Sequence, residues 1–189
     1  MLKFVKNSQM KLNSKILLLN LKTQTEKHIE ICKEFLDFSD EKLHLKKSEN
    51  SWNILECIEH LKKYADYYYP LMEKNIQKSN THSKETFSTG FLGNNFANSM
   101  LVTEKNKKMK TPKDKNPLGE HVTKESILIF LEQQKLLLQI LKNSEKVDLG
   151  KIKIPISIAP FVKIKLGDTL RFIIYHNERH IVQAQKTLK

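Results

Sequence analysis

The part of the chain that decides the fold reads Thr169-Leu-Arg-Phe-Ile-Ile-Tyr-His-Asn-Glu-Arg-His-Ile-Val-Gln-Ala-Gln-Lys-Thr-Leu188. It has a helix-forming composition and contains no glycine or proline. His176 and His180 are four residues apart, so a helix places both imidazoles on one face, about one turn apart. Two neutral imidazoles in this arrangement can bind one divalent metal ion. Surface and core histidines also show this spacing, so the prediction of a metal site depends on a third ligand elsewhere.

Apolar residues recur with helical spacing in three further segments. The four predicted helices run from about Lys11 to Phe38, from Asn53 to Lys78, from Thr123 to Lys142, and from Asp168 to the C-terminus. In the first helix the apolar residues include Ile16 and Leu19. In the second, Asn53 and Glu56 predict a capping box, and Pro70 predicts a kink or an early end. Thr123 and Asp168 are the predicted N-caps of the third and fourth helices.

The segments between these helices are long and rich in polar residues, glycine and proline. Residues 79–122 and 143–167 do not have the length of plain tight turns, although a short helix is expected within Phe91–Leu101. Long connections allow neighbouring helices to run parallel, which makes an up-down-down-up order compatible with the pattern. We therefore expect an all-α fold, a four-helix bundle formed by a single domain over residues 1–189, with a long crossover between the second and third helices.

The charge of the chain is strongly positive, with 33 Lys and Arg against 21 Asp and Glu and a net charge of +12. Only Arg171 and Arg179 are arginines, and the lysines are spread along the whole chain, so specific nucleic-acid binding is not expected. Cys32 and Cys57 lie in apolar stretches and are predicted to be reduced core residues. No apolar run approaches the length needed to span a membrane. These features predict a soluble cytoplasmic protein without a membrane partner.

The best candidate for a third metal ligand is His60, in the segment Trp52-Asn-Ile-Leu-Glu-Cys-Ile-Glu-His-Leu61. On a helical wheel it borders the apolar arc of the second helix, a position suited to a side chain at the mouth of a bundle. The alternative is a partly exposed histidine without a ligand role. Three imidazoles around Zn²⁺ or Ni²⁺ would leave at least one position open.

Trp52–Leu61, taken together with Tyr175-His-Asn-Glu-Arg-His-Ile-Val-Gln183, resembles the DinB-like superfamily, also called the DNA-damage-inducible or YfiT-like family. The resemblance extends over about residues 10–188 and includes Pro112 and Pro117 in the crossover. It implies a four-helix bundle with up-down-down-up topology and three metal-binding histidines, which correspond to His60, His176 and His180. Relatives include transferases that use low-molecular-weight thiols such as bacillithiol, a mycothiol-dependent isomerase and metal-dependent hydrolases. Dimers are common among them.

The leading functional prediction is a metal-dependent enzyme that transfers a low-molecular-weight thiol to a small electrophilic molecule. A metal ion stabilises the thiolate form of such a thiol near neutral pH. The same three ligands could instead activate water for hydrolysis, or serve a non-catalytic metal- or ligand-binding module. A basic nucleic-acid accessory protein is the third alternative.

Three further residues are candidates for roles beside the metal. Arg179 could bind a substrate carboxylate, although a salt bridge to Glu56 or Glu59 is the more ordinary role. Gln183 could orient a water or a substrate, or pack as a core amide, and Tyr64 could line the pocket or simply pack.

The remaining predictions concern surface residues. His28, His44, His82 and His121 are expected on the surface, and Phe87, Phe91 and Phe96 are expected to be exposed, in a dimer interface or a lid.

Overall fold

The computed structural model describes residues 9–103 and 110–188 and is mostly helical. Two short pairs of strands accompany the helices. In chain order the elements are β1 (Lys11–Asn13), α1 (Ser14–Leu36), α2 (Asp40–Leu43), α3 (Ile54–Gln77), β2 (Thr86–Ser88), α4 (Phe91–Ser99), α5 (Glu125–Ser144), β3 (Lys153–Ile156), β4 (Ala159–Lys165) and α6 (Leu166–Lys186). The four long helices α1, α3, α5 and α6 correspond to the four helices predicted from the sequence.

These four helices pack around a shared core. α1 and α3 each pack against both α5 and α6. The apolar residues that they bury form two clusters. The larger cluster includes Tyr68, Met72 and Leu170. The second includes Ile58, Leu61 and Ile181. Because these side chains recur every three or four residues, each helix turns one stripe inward and leaves its polar residues in water.

Backbone hydrogen bonds connect the starts of α1 and α6 to the segments that follow α3 and α5. At one end, Ser14 N donates to Glu85 O at 2.7 Å, which brings the start of α1 near the segment that follows α3. At the same end, Gly167 N donates to Leu149 O at 3.1 Å and joins the start of α6 to the segment after α5. The antiparallel pair β1–β2 reinforces the first of these contacts.

The start of α3 is held by the predicted capping box. The Asn53 side chain accepts a hydrogen bond from Glu56 N, and the Glu56 carboxylate accepts one from Asn53 N. The predicted early end at Pro70 is wrong, because α3 continues through this residue to Gln77. The tertiary contacts of the long helix, which buries Tyr68, Tyr69 and Met72 around the proline, outweigh the loss of one backbone hydrogen bond.

Residues 143–167 contain a β-hairpin that the sequence did not predict. β3 and β4 pair antiparallel, with Lys153 opposite Lys165 and an irregularity between Pro155 and Ile156. β4 leads directly into α6, which therefore begins at Leu166 and has Lys165 at its N-cap. The predicted N-cap Asp168 lies instead in the first turn of that helix. Thr123 is also not the N-cap of its helix, although its hydroxyl accepts a hydrogen bond from Glu125 N.

The apolar residues are not all buried, and not all of those expected on the surface are exposed. Ile16 and Leu19 of the apolar pattern face solvent, whereas Leu17, Leu18 and Leu21 of α1 are buried. Phe87 is buried against Gly167, where an added Cβ would lie 2.6 Å from the ring. Phe96 is half-buried, and Phe91 is exposed as predicted. In the part of the chain that the structure describes, no helix is both long and apolar enough to cross a membrane.

α4, the short helix predicted in the crossover, is fixed to α6 by a buried polar network. The carboxylate of Asp168 accepts a hydrogen bond from Gly90 N at 2.7 Å and pairs with Arg171 at 3.3 Å. The guanidinium of Arg171 also donates to Asn94 Oδ1 at 2.9 Å. Gly93 makes this close approach feasible, because a Cβ on it would lie 2.6 Å from both Cβ and Oδ2 of Asp168.

We therefore expect Gly93→Ala to destabilise the protein. Alanine normally favours a helix by about 1 kcal/mol relative to glycine, but the clash with Asp168 should outweigh this gain. A net loss of at least about 1 kcal/mol in the free energy of unfolding, measured by urea denaturation, is the expected result. Leu92→Ala, at an exposed position of the same helix, is the control. Equal stability of the two variants would contradict the close packing of α4 on Asp168.

Candidate metal centre

Three histidines come together between α3 and α6. His60 lies on α3, and His176 and His180 lie one turn apart on α6. One ligand nitrogen from each lies within 4.8 Å of the other two. We call these residues the histidine triad. His60 and His176 are buried and His180 is partly exposed. The structure thus brings together the three residues that the sequence singled out, and the position of His60 does not fit the alternative of an isolated surface histidine.

Hydrogen bonds fix the proton positions of two of these rings. Nδ1 of His60 lies 2.7 Å from the carbonyl oxygen of Lys115, and Nδ1 of His180 lies 2.9 Å from Oε1 of Gln183. Both oxygens only accept, so each Nδ1 donates and carries the proton of the neutral ring. The Nε2 atoms are then left with free lone pairs. Ligand histidines in metalloproteins have this arrangement, with the second nitrogen held by a carbonyl or carboxylate group.

The electrostatic environment keeps the triad neutral. Burial lowers the pKa of His60 to about 4, although the hydrogen bond to the Lys115 carbonyl acts in the opposite direction. Burial is also the main cause that lowers the pKa of His176 and that of His180 well below the usual value. His180, His60 and Arg179 add to the effect at His176, whereas at His180 His60 and Arg179 add to it and the hydrogen bond to Gln183 opposes it. Metal ions bind the neutral form of imidazole, so these shifts favour metal binding near pH 7.

The spacing of the nitrogens fits a shared cation. Nε2 of His60 lies 3.1 Å from Nε2 of His176. Because the His60 atom offers a lone pair, a proton or a cation between the two nitrogens is needed to make this contact favourable. Two nitrogens bound to one tetrahedral zinc ion at about 2.0–2.1 Å would lie roughly 3.3 Å apart. Nδ1 of His176 is buried without a hydrogen-bond partner among the described residues.

Aromatic rings surround the triad. The Trp52 ring lies 4.7 Å from the ring of His60 and 5.5 Å from that of His180, measured between centroids. Tyr64 lies 4.5 Å from His176. Burial raises the pKa of Tyr64 to about 12, with Tyr68 and Asp114 contributing in the same direction, so its hydroxyl keeps its proton. The triad therefore lies in an apolar setting, which strengthens electrostatic interactions at the site.

Part of the long crossover passes over the site, and we call its residues 112–120 the strap. Besides the Lys115 carbonyl, the strap provides Oδ1 of Asn116, which accepts a hydrogen bond from Trp52 Nε1 at 3.2 Å. Gly119 N donates to the Glu56 carboxylate at 3.3 Å. The strap thus anchors Trp52 and orients the first histidine. The sequence did not indicate these contacts, because a backbone carbonyl leaves no trace in residue identity.

The other candidates lie at the edge of the site. Arg179 donates to the backbone carbonyl of Ser99 at 3.2 Å. Glu56 and Glu59, the expected salt-bridge partners of Arg179, pair with lysines instead. Glu56 pairs with Lys46, and Glu59 pairs with Lys62. Gln183 contacts His180, as described above, and Tyr64 is nearly fully buried.

Cys57 lies in the second hydrophobic cluster, where burial raises the pKa of its thiol. Within the described residues, no cysteine or carboxylate joins the triad as a fourth potential ligand. The cysteine is therefore a core residue, and the protein ligands alone would leave the coordination of a bound metal incomplete.

The prediction of a surface position is wrong for His28. This residue of α1 is fully buried, and its Nε2 lies 2.6 Å from the Glu178 carboxylate. This hydrogen bond is the main cause that lowers the pKa of Glu178. Glu178 lies between the two triad histidines of α6 in sequence but points to α1, so the pair ties α6 to α1. His44, His82 and His121 are exposed as predicted.

Comparison with known proteins supports the resemblance. A family model described as the DinB superfamily matches residues 24–184, which include the whole triad. Comparison with curated proteins and with solved structures gave no match.

The pKa shifts predict how the metal-free protein responds to acid. In the unfolded chain a histidine binds a proton as the pH falls through about 6.5, whereas folded His60 stays neutral down to about 4. The unfolded state therefore binds more protons in this window, and the free energy of unfolding falls as the pH is lowered. Each such histidine contributes roughly 1.4 kcal/mol per pH unit.

Urea denaturation of the metal-free protein at several pH values between 6.5 and 5 measures this effect. We expect the slope to decrease by about one histidine's contribution in His60→Gln and to stay unchanged in His82→Gln, which alters an exposed histidine. The same slope in His60→Gln as in the parent protein would show that His60 is not held neutral in the folded state.

Proposed function

Because this chain belongs to the DinB superfamily, we propose that it is a metal-dependent transferase that joins a low-molecular-weight thiol to a small electrophilic molecule. The observation that carries the proposal is the convergence of three neutral imidazoles, in two of which Nδ1 donates to a protein oxygen so that Nε2 offers a lone pair. In this proposal His60, His176 and His180 hold a divalent cation, Zn²⁺ or Ni²⁺, which are ions that imidazole ligands suit.

A divalent cation in this site would lower the pKa of an entering thiol, so that the thiolate nucleophile is available near neutral pH. The protein's own part is to keep the ligands neutral and oriented, through burial, the Lys115 carbonyl and Gln183. Trp52 and Tyr64 exclude water around the triad, which protects a thiolate from competing protonation and strengthens its attraction to positive charge.

The composition of the site favours a thiol over water as the nucleophile. Hydrolysis at a metal centre commonly relies on a nearby carboxylate as general base, and among the described residues no carboxylate oxygen lies within 4.8 Å of all the ligand nitrogens of the triad. Tyr64, whose pKa is raised to about 12, cannot serve as a base at neutral pH. A thiol whose pKa is lowered by a bound metal ion would release its proton to solvent near neutral pH and would not need such a group.

Arg179 supplies the positive charge at the edge of the site. It lies close enough to His176 and His180 to lower the pKa of both. We assign it the role of attracting a carboxylate of the thiol or of the electrophile, since a guanidinium binds carboxylates with directed hydrogen bonds. Gln183 acts through His180, as a positioning residue.

The helix contacts support the up-down-down-up order as part of this proposal. The start of α1 lies near the segment after α3, and the start of α6 lies near the segment after α5. At the opposite end, Nζ of Lys124, just before α5, donates to the carbonyl oxygen of Leu36 at the end of α1. With this order the two triad-bearing helices, α3 and α6, run antiparallel side by side.

A conjugation assay tests the function. Protein stripped of metal with a chelator and reloaded with Zn²⁺ or Ni²⁺ is mixed with cysteine or bacillithiol and an activated aryl chloride, and the thioether product is measured. Product above the uncatalysed rate is expected only when metal and thiol are both present. His176→Gln should reduce the rate to the background, because a ligand is lost, while His82→Gln should retain the rate of the parent protein.

Two outcomes would contradict the proposal. Conjugation that survives removal of the metal would show that the triad is not the source of the activity. Turnover of an ester or amide substrate without any thiol would instead indicate a hydrolase. Circular dichroism of each variant separates a lost ligand from a lost fold.

A further inference from the structure

The hairpin formed by β3 and β4 carries concentrated positive charge on its outer face. Residues alternate along both strands, so Ile154 and Ile164 enter the core while Lys153 and Lys163 point to solvent. Lys153 lies directly opposite Lys165 in the register. Like charges in directly opposite positions destabilise a strand pair. The facing pair Lys153 and Lys165 therefore does not stabilise the hairpin, which points to a role of this charge in binding.

The fold neutralises this charge only in part. Partial burial and the neighbouring Lys165 lower the pKa of Lys153, and Asp168 counters this effect. Asp168 is itself fully buried and already paired with Arg171. The ammonium group of Lys165 donates to the backbone carbonyl oxygen of Ser88, at 2.6 Å, rather than to a carboxylate. The outer face of the hairpin therefore remains basic.

Two large apolar side chains stand at the end of the same hairpin. Ile158 in the turn is 60% exposed, and Phe161 is 88% exposed. Phe161 and Lys163 are two positions apart along β4 and both exposed, so they share the outer face of the strand. Lys165 continues this row, but it is half-buried and its ammonium group is turned towards Ser88. An almost fully exposed phenylalanine on the same face as Lys163 costs hydrophobic free energy in water and suits a surface that offers both negative charge and an apolar layer.

Other occupants of this surface fit less well. A second copy of the chain, which has a net charge of +12, would bring the lysines of two hairpins together. A nucleic acid would satisfy the lysines and could stack a base on Phe161, but an aliphatic side chain such as Ile158 cannot stack in this way. The hairpin also has no arginine to read a base. An anionic lipid surface accommodates the charges and both apolar side chains.

We propose that the β3–β4 hairpin docks on an anionic lipid surface, with Ile158 and Phe161 inserted at the boundary of the acyl chains and Lys153 and Lys163 against the headgroups. The chain would then bind membranes peripherally, through a surface that needs no spanning segment. The sequence predicted no membrane partner because that expectation rested on the lengths of apolar runs, which a hairpin tip does not affect. The inference is independent of the histidine triad.

Flotation of the whole protein with vesicles tests the proposal. Vesicles of phosphatidylcholine alone are compared with vesicles that also contain phosphatidylserine, at low and at high salt. We expect binding only to the anionic vesicles, and weaker binding at high salt because screening reduces the attraction. Phe161→Ser should reduce the partition coefficient about tenfold, and Lys153→Gln or Lys163→Gln about fivefold each.

Matched controls come from other surfaces of the same protein. Phe91→Ser removes an exposed phenylalanine from α4, and Lys78→Gln removes an exposed lysine after α3. Both should bind vesicles as the parent protein does.

Absence of binding to anionic vesicles would overturn the proposal, and so would equal binding by Phe161→Ser. Binding to a short DNA duplex that depends on the lysines but not on Phe161 would indicate a nucleic-acid surface instead. Thermal unfolding of each variant excludes misfolding as the cause of a loss. Phe161→Ser, Lys163→Gln and the controls should unfold as the parent does because their positions are exposed. Lys153→Gln should be at least as stable as the parent because it removes the like charge opposite Lys165.

Discussion

The ring nitrogens of the histidine triad lie within 4.8 Å of one another between α3 and α6, with His60 and His176 buried and His180 partly exposed, and the surrounding structure holds them there. Taking three imidazoles out of water costs free energy unless their polar atoms find partners. Nδ1 of His60 and Nδ1 of His180 have such partners, but the close contact between Nε2 of His60 and Nε2 of His176 needs a proton or a cation. A metal ion bound to all three would satisfy this requirement while the rings stay neutral.

Segments distant in sequence cooperate to hold this arrangement. His60 and His176 are 116 residues apart, and the carbonyl that orients His60 comes from the strap, which belongs to the crossover. The strap also binds Trp52, while the network around Asp168 fixes α4 against α6. The β-hairpin before α6 leads directly into that helix at Leu166, and its first strand packs against α3. The candidate site thus depends on the two irregular connections as much as on the long helices.

The features that could be predicted from the sequence are those that depend on the identity of side chains a few residues apart. The capping box of α3 and the histidine pair on α6 follow from residue identity. His60 was a candidate because of its position on the helical wheel, and the family resemblance joined it to the pair. Contacts made by backbone groups, such as the hydrogen bond from His60 to the Lys115 carbonyl, do not depend on residue identity and could not be predicted in this way. In α1, the apolar run from Ile16 to Leu19 does not by itself define which of its residues are buried, and only Leu17 and Leu18 are. The burial of His28 could have been found, because it continues a helical stripe with Leu21 and Cys32. The hairpin was missed because its prolines were interpreted as loop residues.

Metal content tests the central claim most directly. Protein purified without a histidine tag is analysed for metal beside His60→Gln, His176→Gln and His180→Gln, with His121→Gln as the control at an exposed position. We expect near-stoichiometric zinc or nickel in the parent protein and in the control, and loss of the metal in the three triad variants, each of which removes a ligand. The same metal content in all five proteins, or no metal in the parent protein after growth with both ions, would contradict a metal centre built from these three side chains.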